Sequence, residues 1–270
     1  RQVLSPAISW QDLRSLDLFP YYREKRDKIQ EITGLPLNAH YSAVKVAFCM
    51  QNQPKLRSAM RQRGSKIAPL ASYIASTVFD AKQTFTDATL AQRTLLFDIT
   101  RQQWDSELCD LFEVNQRWLP TLLPTSANYG STHRHGVEIQ LNSVIGDTQA
   151  MLIGNGLGKE SNAAIQFGTG AFLALQAPAQ KKTLRCDRLI TSLLRGEKSK
   201  ASYYLEGTVN SAAALLQLAE EKKLRFLHRK TAVGKPTLSP SLSGLGAPHW
   251  QSMPTTLFAE SRKQVDLKRA

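Results

Sequence analysis

The sequence predicts an α/β protein built from two domains. Extended runs such as 137–144 alternate with runs that carry apolar residues at helical spacing, such as 42–50, and the two patterns indicate strands and helices respectively. A chain of 270 residues is long enough to bury a large core. Three glycines fall within 154–158, so we predict a boundary there, with domains at 1–154 and 155–270.

The composition is that of an ordinary globular protein, with 42% hydrophobic and 21% charged residues. No run approaches the roughly 20 apolar residues that cross a bilayer, so we expect no membrane partner. The three cysteines, Cys49, Cys109 and Cys186, lie far apart and do not match a metal-binding spacing. A reducing cytoplasm with idle thiols is the simplest interpretation.

The net charge of +13 raises the hypothesis of a nucleic-acid partner. The basic residues fall in separate stretches, without the interleaved aromatic side chains of a platform on which bases stack. We therefore expect no nucleic acid, and interpret the charge as solvated surface that can also steer an anionic nucleotide. The basic stretches are 55–66, 181–188, 222–235 and 262–269.

The most informative stretch runs from Val137 to Phe172. Its first part predicts a strand over 137–146 that delivers the carboxylate of Asp147 at its tip, followed by a helix from Thr148. Its second part predicts a hairpin whose turn is Gly168-Thr169-Gly170, where glycines allow backbone N–H groups to approach a ligand. A carboxylate near such a turn suits phosphate transfer.

Further elements are predicted along the chain from periodicity and from breaking residues. The segment 203–211 predicts a strand, a turn at Gly207 and a helix capped by Asn210 or Ser211, whose N-terminus would be a second phosphate site. The glycine-rich loop 243–250 is interpreted as structural. We also predict a strand and loop at 6–14, helices at 18–32, 42–50, 68–79 and 104–112, a loop opening at 85–87, and a linker at 119–124.

A series of short motifs occurs in one order along nearly the whole chain. Together they resemble the FGGY carbohydrate kinases and, within that family, most closely the glycerol kinases. The matching residues are Trp10-Gln11-Asp12, Thr33-Gly34-Leu35-Pro36-Leu37 with Tyr41-Ser42-Ala43-Val44-Lys45, Arg93-Thr94-Leu95-Leu96-Phe97-Asp98-Ile99, Trp104-Asp105, Gly146-Asp147-Thr148-Gln149-Ala150, Phe167-Gly168-Thr169-Gly170-Ala171-Phe172, Glu206-Gly207-Thr208, and Ser243-Gly244-Leu245-Gly246-Ala247-Pro248-His249-Trp250.

The resemblance implies a two-domain actin/hexokinase-like (ribonuclease H-like) ATPase fold, incomplete at both ends in this chain. It also implies that Mg²⁺ and ATP are cofactors and that a sugar or polyol hydroxyl accepts the phosphate, with Asp147 as the general base. Whether the protein forms a homo-oligomer stays open. The resemblance places Trp10, His40, Tyr41, Thr148 and Phe172 with Asp147 on the acceptor side, and Gly168, Thr169, Gly170, Gly207 and Ser211 on the ATP side.

Two positions on the acceptor side depart from the pattern of the glycerol kinases. His40 stands where they usually have tyrosine, and Thr148 where they have glutamine, so the resemblance implies an altered acceptor specificity. Segment 64–69 also departs from the family pattern.

A second interpretation is an inactive fragment or degenerate relative that only binds a polyol or a nucleotide. The phosphate loop of the family would precede Arg1, and its adenine-binding segment would follow Ala270. Taken singly, Asp147 fits a turn, Gly168-Thr169-Gly170 a plain hairpin, Trp10 a core aromatic residue, and His40 a loop residue.

Overall fold

The computed structural model divides the chain into two compact units. The first comprises Arg1–Gly156, Ala177–Arg185 and Thr191–Tyr204, and the second Leu157–Gln176, Cys186–Ile190 and Leu205–Ala270. The structure describes residues 2–79, 81, 83–177, 189–197, 201–221, 237–238, 246–247, 250, 258–259 and 264–265.

Short helices make up much of the first unit. Helix α3 forms because its residues are largely apolar and contain neither glycine nor proline, and it buries Val44, Ala47 and Met50. The helices are α1 (Phe19–Tyr22), α2 (Arg26–Thr33), α3 (Ser42–Asn52), α4 (Pro54–Met60), α5 (Leu70–Val78), α6 (Ala88–Gln92), α7 (Ser106–Leu111) and α8 (Asp147–Gly154), with 3₁₀ helices at Arg14–Leu18, Arg23–Lys25 and Gln116–Trp118.

The strands that lie wholly within the described part of the first unit are short and pair in twos. Strands β1 and β4 are parallel, with Asp87 opposite Leu123, whereas β2 and β3, and β5 and β6, are antiparallel. The strands are β1 (Phe85–Asp87), β2 (Phe97–Asp98), β3 (Gln103–Trp104), β4 (Thr121–Leu123), β5 (Ser131–Arg134) and β6 (Val137–Gln140).

Helix α2 ends at a glycine for two physical reasons. Gly34 has a φ of 74°, in the left-handed region, and its N–H donates to the carbonyl oxygen of Gln30 at 2.8 Å. A Cβ added to Gly34 would lie 2.3 Å from the carbonyl oxygen of Thr191. The turn therefore lets the backbone of 191 pack directly against the end of α2.

The second unit is built around an antiparallel hairpin. Strands β7 (Ala163–Phe167) and β8 (Ala171–Ala177) pair with Gln166 opposite Phe172. Strands β9 (Ile190–Arg195) and β10 (Ser202–Val209) each have residues in both units; β10 neighbours β8 on one side and β9 on the other. Helix α9 (Ala212–Glu221) follows β10, and β11 (Thr237–Leu238), β12 (Phe258–Ala259) and β13 (Gln264–Val265) form a small antiparallel sheet.

Several elements match the sequence predictions. Helices α3, α5 and α8 and the hairpin β7–β8 are confirmed. The helix predicted over 18–32 is present but divided into α1, a 3₁₀ turn and α2. The helix predicted over 104–112 is α7, which begins after Asp105, whose side chain caps the amide of Leu108 at 2.9 Å.

Other predictions were wrong. The described part of 6–14 contains no strand, and Arg14 begins a 3₁₀ helix. The loop predicted at 85–87 is β1, and the linker at 119–124 contains β4. These two strands stabilise each other by parallel pairing between segments distant in sequence, which periodicity over three residues cannot reveal.

The strand predicted over 137–146 ends at Gln140. Beyond Gln140, isolated backbone hydrogen bonds connect the chain to 125–130. The N–H of Leu141 donates to the carbonyl oxygen of Gly130 at 2.9 Å, and the N–H of Val144 donates to that of Thr125 at 3.2 Å. Asp147 therefore lies at the start of α8 and not at the tip of a strand. Strand β10 likewise continues through Gly207, where we predicted a turn.

Within the described part of the chain, none of the helices has both the length and the apolar character that would let it cross a bilayer. Cys49 and Cys109 are buried free thiols. Cys186, the basic stretches 181–188 and 222–235, and most of 262–269 lie outside the described residues, as do 243–245 and 248–249 of the glycine-rich loop. In the same loop, the backbone of Gly246 packs tightly against Thr208.

Candidate active site

Trp10 and His40 come together in the first unit. Their rings meet edge to face with centroids 5.2 Å apart, and Trp10 is 61% exposed. Trp10 is therefore not the core aromatic residue that its type alone would suggest. The pair presents an aromatic surface to solvent in the unit that also contains Asp147.

The segment that carries Trp10 is fastened to α3. The Nζ of Lys45, a buried residue of α3, donates to the carbonyl oxygen of Ser9. Arg14 pairs with Asp12 at 2.6 Å and stacks over the ring of Phe48, 6.0 Å from its centroid. The hydrogen bonds from Arg14 lower the pKa of Asp12 to about 2, which keeps this carboxylate charged.

His40 and Tyr41 lead into α3 with different environments. The N–H of His40 donates to Oδ1 of Asn38 at 3.0 Å. Neighbouring side chains partly desolvate its imidazole, and this burial, followed by the charge of Lys45, lowers the pKa of His40. Tyr41 is buried, so His40 is the more exposed of the two predicted acceptor residues.

Asp147 is the first residue of α8 and is exposed. Its Oδ1 accepts the N–H of Thr148 at 2.7 Å, which orients the carboxylate. Gly146 precedes it with an ordinary φ of −63°, but a Cβ there would lie 2.4 Å from Oε1 of Gln149. An alanine at 146 would therefore require the end of the Gln149 side chain to move, whereas the backbone angles of Gly146 are open to any residue.

A buried cluster that the sequence analysis missed holds the chain just before Asp147. The N–H of Gly146 donates to Oγ1 of Thr89 at 2.9 Å, and Thr89 Oγ1 is 2.9 Å from both carboxylate oxygens of Asp87. Asp87 also accepts the hydroxyl of Thr125 at 2.9 Å and the N–H of Leu90 at 3.0 Å. The sequence signal that could have revealed part of it is an aspartate at an N-cap position before α6.

Burial dominates the electrostatics of this cluster. Asp87 has no exposed surface, and burial raises its pKa, against the lowering effect of the hydrogen bonds from Leu90, Thr125 and Thr89. These donors compensate the cost of a buried carboxylate.

The Gly168-Thr169-Gly170 turn of the second unit packs on the start of α9. The N–H groups of Ala213 and Ala214 donate to the carbonyl oxygens of Gly168 and Thr169, at 3.0 and 3.3 Å. These two N–H groups are thereby occupied and are not available to a phosphate, and the second phosphate site at this helix stays a prediction. The turn itself is exposed at Gly168 and Thr169.

The remaining predicted residues of the second unit differ in accessibility. Gly207 lies within β10, and a Cβ there would meet Leu189 at an ordinary 3.6 Å. Ser211 is completely buried just before α9, whereas Phe172 on β8 is 37% exposed. Gly207 and Phe172 have accessible surface, and Ser211 has none.

The described residues contain no group of three or more histidine, cysteine, aspartate or glutamate side chains placed to hold an ion. Mg²⁺ in kinases is held largely by substrate phosphates and water, with one or two carboxylates. Asp147 is an exposed carboxylate of the kind that such an ion can use.

Comparison with known proteins identifies the family. The family model described as the N-terminal domain of the FGGY family of carbohydrate kinases matches residues 1–154. The chain belongs to the FGGY family of carbohydrate kinases. A glycerol kinase from Mycoplasma genitalium is 32% identical over 267 residues, which cover 91% of this chain and 52% of that protein. The chain spans about half the length of the curated relatives it matches.

Solved structures agree with this assignment. The crystal structure of Plasmodium falciparum glycerol kinase with ADP matches with a TM-score of 0.83 and 27% identity, over 95% of this chain and 53% of that one. A xylulose kinase from Brucella ovis matches with a TM-score of 0.77 at 17% identity, over 100% of this chain and 56% of that one, which shows the fold alone. The predicted family and the actin/hexokinase-like α/β fold of FGGY kinases are thus confirmed.

Proposed function

We propose that this chain forms part of a kinase that transfers a phosphate from ATP to a hydroxyl group of a sugar or polyol. The observation that carries the proposal is Asp147, an exposed and oriented carboxylate at the start of α8 in a chain of the FGGY family. The exposed glycine turn of the second unit supports it, because phosphates bind where backbone N–H groups are accessible.

In the proposed reaction, Asp147 takes the proton of the acceptor hydroxyl as the hydroxyl oxygen attacks the γ-phosphorus. The new oxygen–phosphorus bond forms as the bond from that phosphorus to the β,γ-bridging oxygen breaks, and ADP leaves. Thr148 holds one carboxylate oxygen of Asp147 by its N–H. Thr169 and Gly170 contribute backbone N–H groups to the ATP phosphates. Mg²⁺, bound with ATP, would neutralise charge on the phosphates.

On the acceptor side we propose that Trp10 packs against the carbon skeleton of the substrate, as exposed aromatic rings commonly do. The edge of His40 adjoins it. Because His40 and Thr148 replace the tyrosine and glutamine usual in glycerol kinases, the preferred acceptor would differ from glycerol. A cytoplasmic location, which provides ATP and suits the buried free thiols of Cys49 and Cys109, belongs to the proposal.

The test is ADP release against a panel of polyols and pentoses, on this chain and on the whole product of its reading frame. Asp147→Asn should lower kcat by at least about a hundredfold, the usual contribution of a general base. Asp27→Asn is the matched control, because Asp27 is an exposed aspartate in the first turn of α2, and it should leave kcat unchanged.

A kcat of Asp147→Asn within a few-fold of the parent would remove Asp147 as the base. A folded parent that shows no turnover, but whose melting temperature rises with ATP or a polyol, would support the binding-only interpretation instead.

The acceptor pocket has a separate test. His40→Tyr combined with Thr148→Gln should raise kcat/KM for glycerol by about tenfold or more, since a pocket gains discrimination when its polar contacts match the substrate. No gain with glycerol would refute the proposed role of these two positions in specificity.

A further inference from the structure

The backbone just before Asp147 is linked by hydrogen bonds to the buried carboxylate of Asp87, which is distant in the sequence. The tie is Thr89, whose Oγ1 accepts the N–H of Gly146 and donates to the carboxylate of Asp87. All three residues belong to the first unit.

The polarity of these bonds is determined by Asp87. An ionised carboxylate only accepts hydrogen bonds, whereas a threonine hydroxyl has one proton to donate and lone pairs to accept with. Because the hydroxyl of Thr89 donates its hydrogen bond to Asp87, its lone pairs are left to accept the N–H of Gly146. The cluster thus offers Gly146 an acceptor in one fixed place.

Gly146 is also the residue from which α8 starts. Its carbonyl oxygen accepts the N–H of Ala150 at 2.9 Å, the first bond of the helix. With its N–H held by Thr89 and its carbonyl by Ala150, the peptide of Gly146 is fixed at both ends. Asp147 follows directly, so the position of its carboxylate depends on this anchor.

We propose that Thr89, oriented by Asp87, is a positioning residue that sets the start of α8 and thereby the carboxylate of Asp147. The catalytic part of this inference rests on the proposed function of Asp147. A positioning role is physically reasonable because a reacting group displaced by about 1 Å can cost about a hundredfold in rate.

The cluster contains its own matched control. Thr125 is buried like Thr89, and its hydroxyl also donates to Asp87, but it accepts the N–H of Gly196 at 3.1 Å and not that of Gly146. Thr89→Val and Thr125→Val therefore each remove one hydroxyl bond to Asp87 and one backbone anchor of the same kind. They differ in the backbone N–H that loses its acceptor, which is that of Gly146 in Thr89→Val and that of Gly196 in Thr125→Val.

The experiment measures kcat, KM and amide hydrogen exchange for these two variants and for Thr89→Ser. Thr89→Val should lower kcat by about tenfold or more with KM within about threefold, and should speed exchange at the amide of Gly146. Thr125→Val should keep kcat within about threefold and speed exchange at Gly196 instead. Thr89→Ser, which retains the hydroxyl, should behave like the parent.

Equal losses of kcat in Thr89→Val and Thr125→Val, or unchanged exchange at Gly146 in Thr89→Val, would overturn the proposal. If Thr89→Val does not fold, Thr89→Ala and Thr125→Ala serve as the matched pair. Failure of the proposed function can be told apart from failure of this inference. A parent without turnover, or an Asp147→Asn variant with full turnover, would contradict the proposed function. Amide exchange at Gly146 would still decide whether Thr89 anchors the start of α8.

Discussion

The side chain of Gln92 bonds three backbone groups of the first unit, which lie on two segments of the chain. Its Nε2 donates to the carbonyl oxygens of Thr33 and Thr191, both at 2.7 Å, and its Oε1 accepts the N–H of Leu193 at 2.9 Å. Gln92→Met nearly preserves the volume of the side chain but removes all three bonds. Each buried polar group left without a partner costs about 1–3 kcal/mol, and burying a thioether in place of an amide recovers part of this. We expect the free energy of unfolding to fall by about 3 kcal/mol.

The assay is thermal unfolding followed by circular dichroism, where this loss corresponds to a melting temperature lower by about 6–12 °C. Gln149→Met is the matched control, because Gln149 is equally buried but its Nε2 has no hydrogen-bond partner among the described residues. It should lower stability by about 1 kcal/mol or less. A Gln92→Met protein that melts within about 2 °C of the parent, or no lower than Gln149→Met, would refute the reasoning.

Two further predictions concern the candidate site. A Cβ on Gly168 would lie 3.6 Å from the carbonyl oxygen of Gly170, an ordinary contact, so Gly168→Ala should have the same melting temperature as the parent. If phosphates approach the turn, the variant should bind ATP about tenfold more weakly, as measured by calorimetry. Unchanged affinity would exclude Gly168 from the ATP site. The NMR titration of His40 should have its midpoint below 6.5, because burial first and Lys45 second disfavour the charged ring, and Lys45→Met should restore only the smaller part of the shift. Since the unfolded state then takes up the proton before the folded state, His40 contributes a loss of stability as the pH falls below about 6.5, and a midpoint at or above 6.5 in the parent would contradict this.

Local patterns in the sequence were sufficient for the elements whose stabilising contacts are also local. Helix α3 follows from an apolar run without breakers, and the hairpin of β7 and β8 from a Gly-Thr-Gly turn between two extended runs. The start of α8 was also predicted, because Gly146-Asp147 is followed by a helical run. In these cases each residue is placed mainly by its near neighbours in the chain.

Elements that depend on distant partners were not predicted. Strands β1 and β4 have three residues each and carry little periodicity, so only their pairing with each other makes them strands. The same holds for the extended chain after Gln140, whose bonds go to 125–130. Its misassignment put Asp147 at the end of a strand instead of the beginning of a helix.

The sequence by itself determined the family and the α/β class, since the motifs that carry them are runs of adjacent residues, and the same motifs supplied the site residues that we propose. Only the tertiary structure decided how those residues are held: that Trp10 faces His40, that the amides of Ala213 and Ala214 bond to the glycine turn, and that Thr89 and Asp87 anchor the residue before Asp147. The physical reason is that Thr89 and Gly146 are 57 positions apart. A hydrogen bond across that separation leaves no pattern in a single sequence and exists only once both segments have packed.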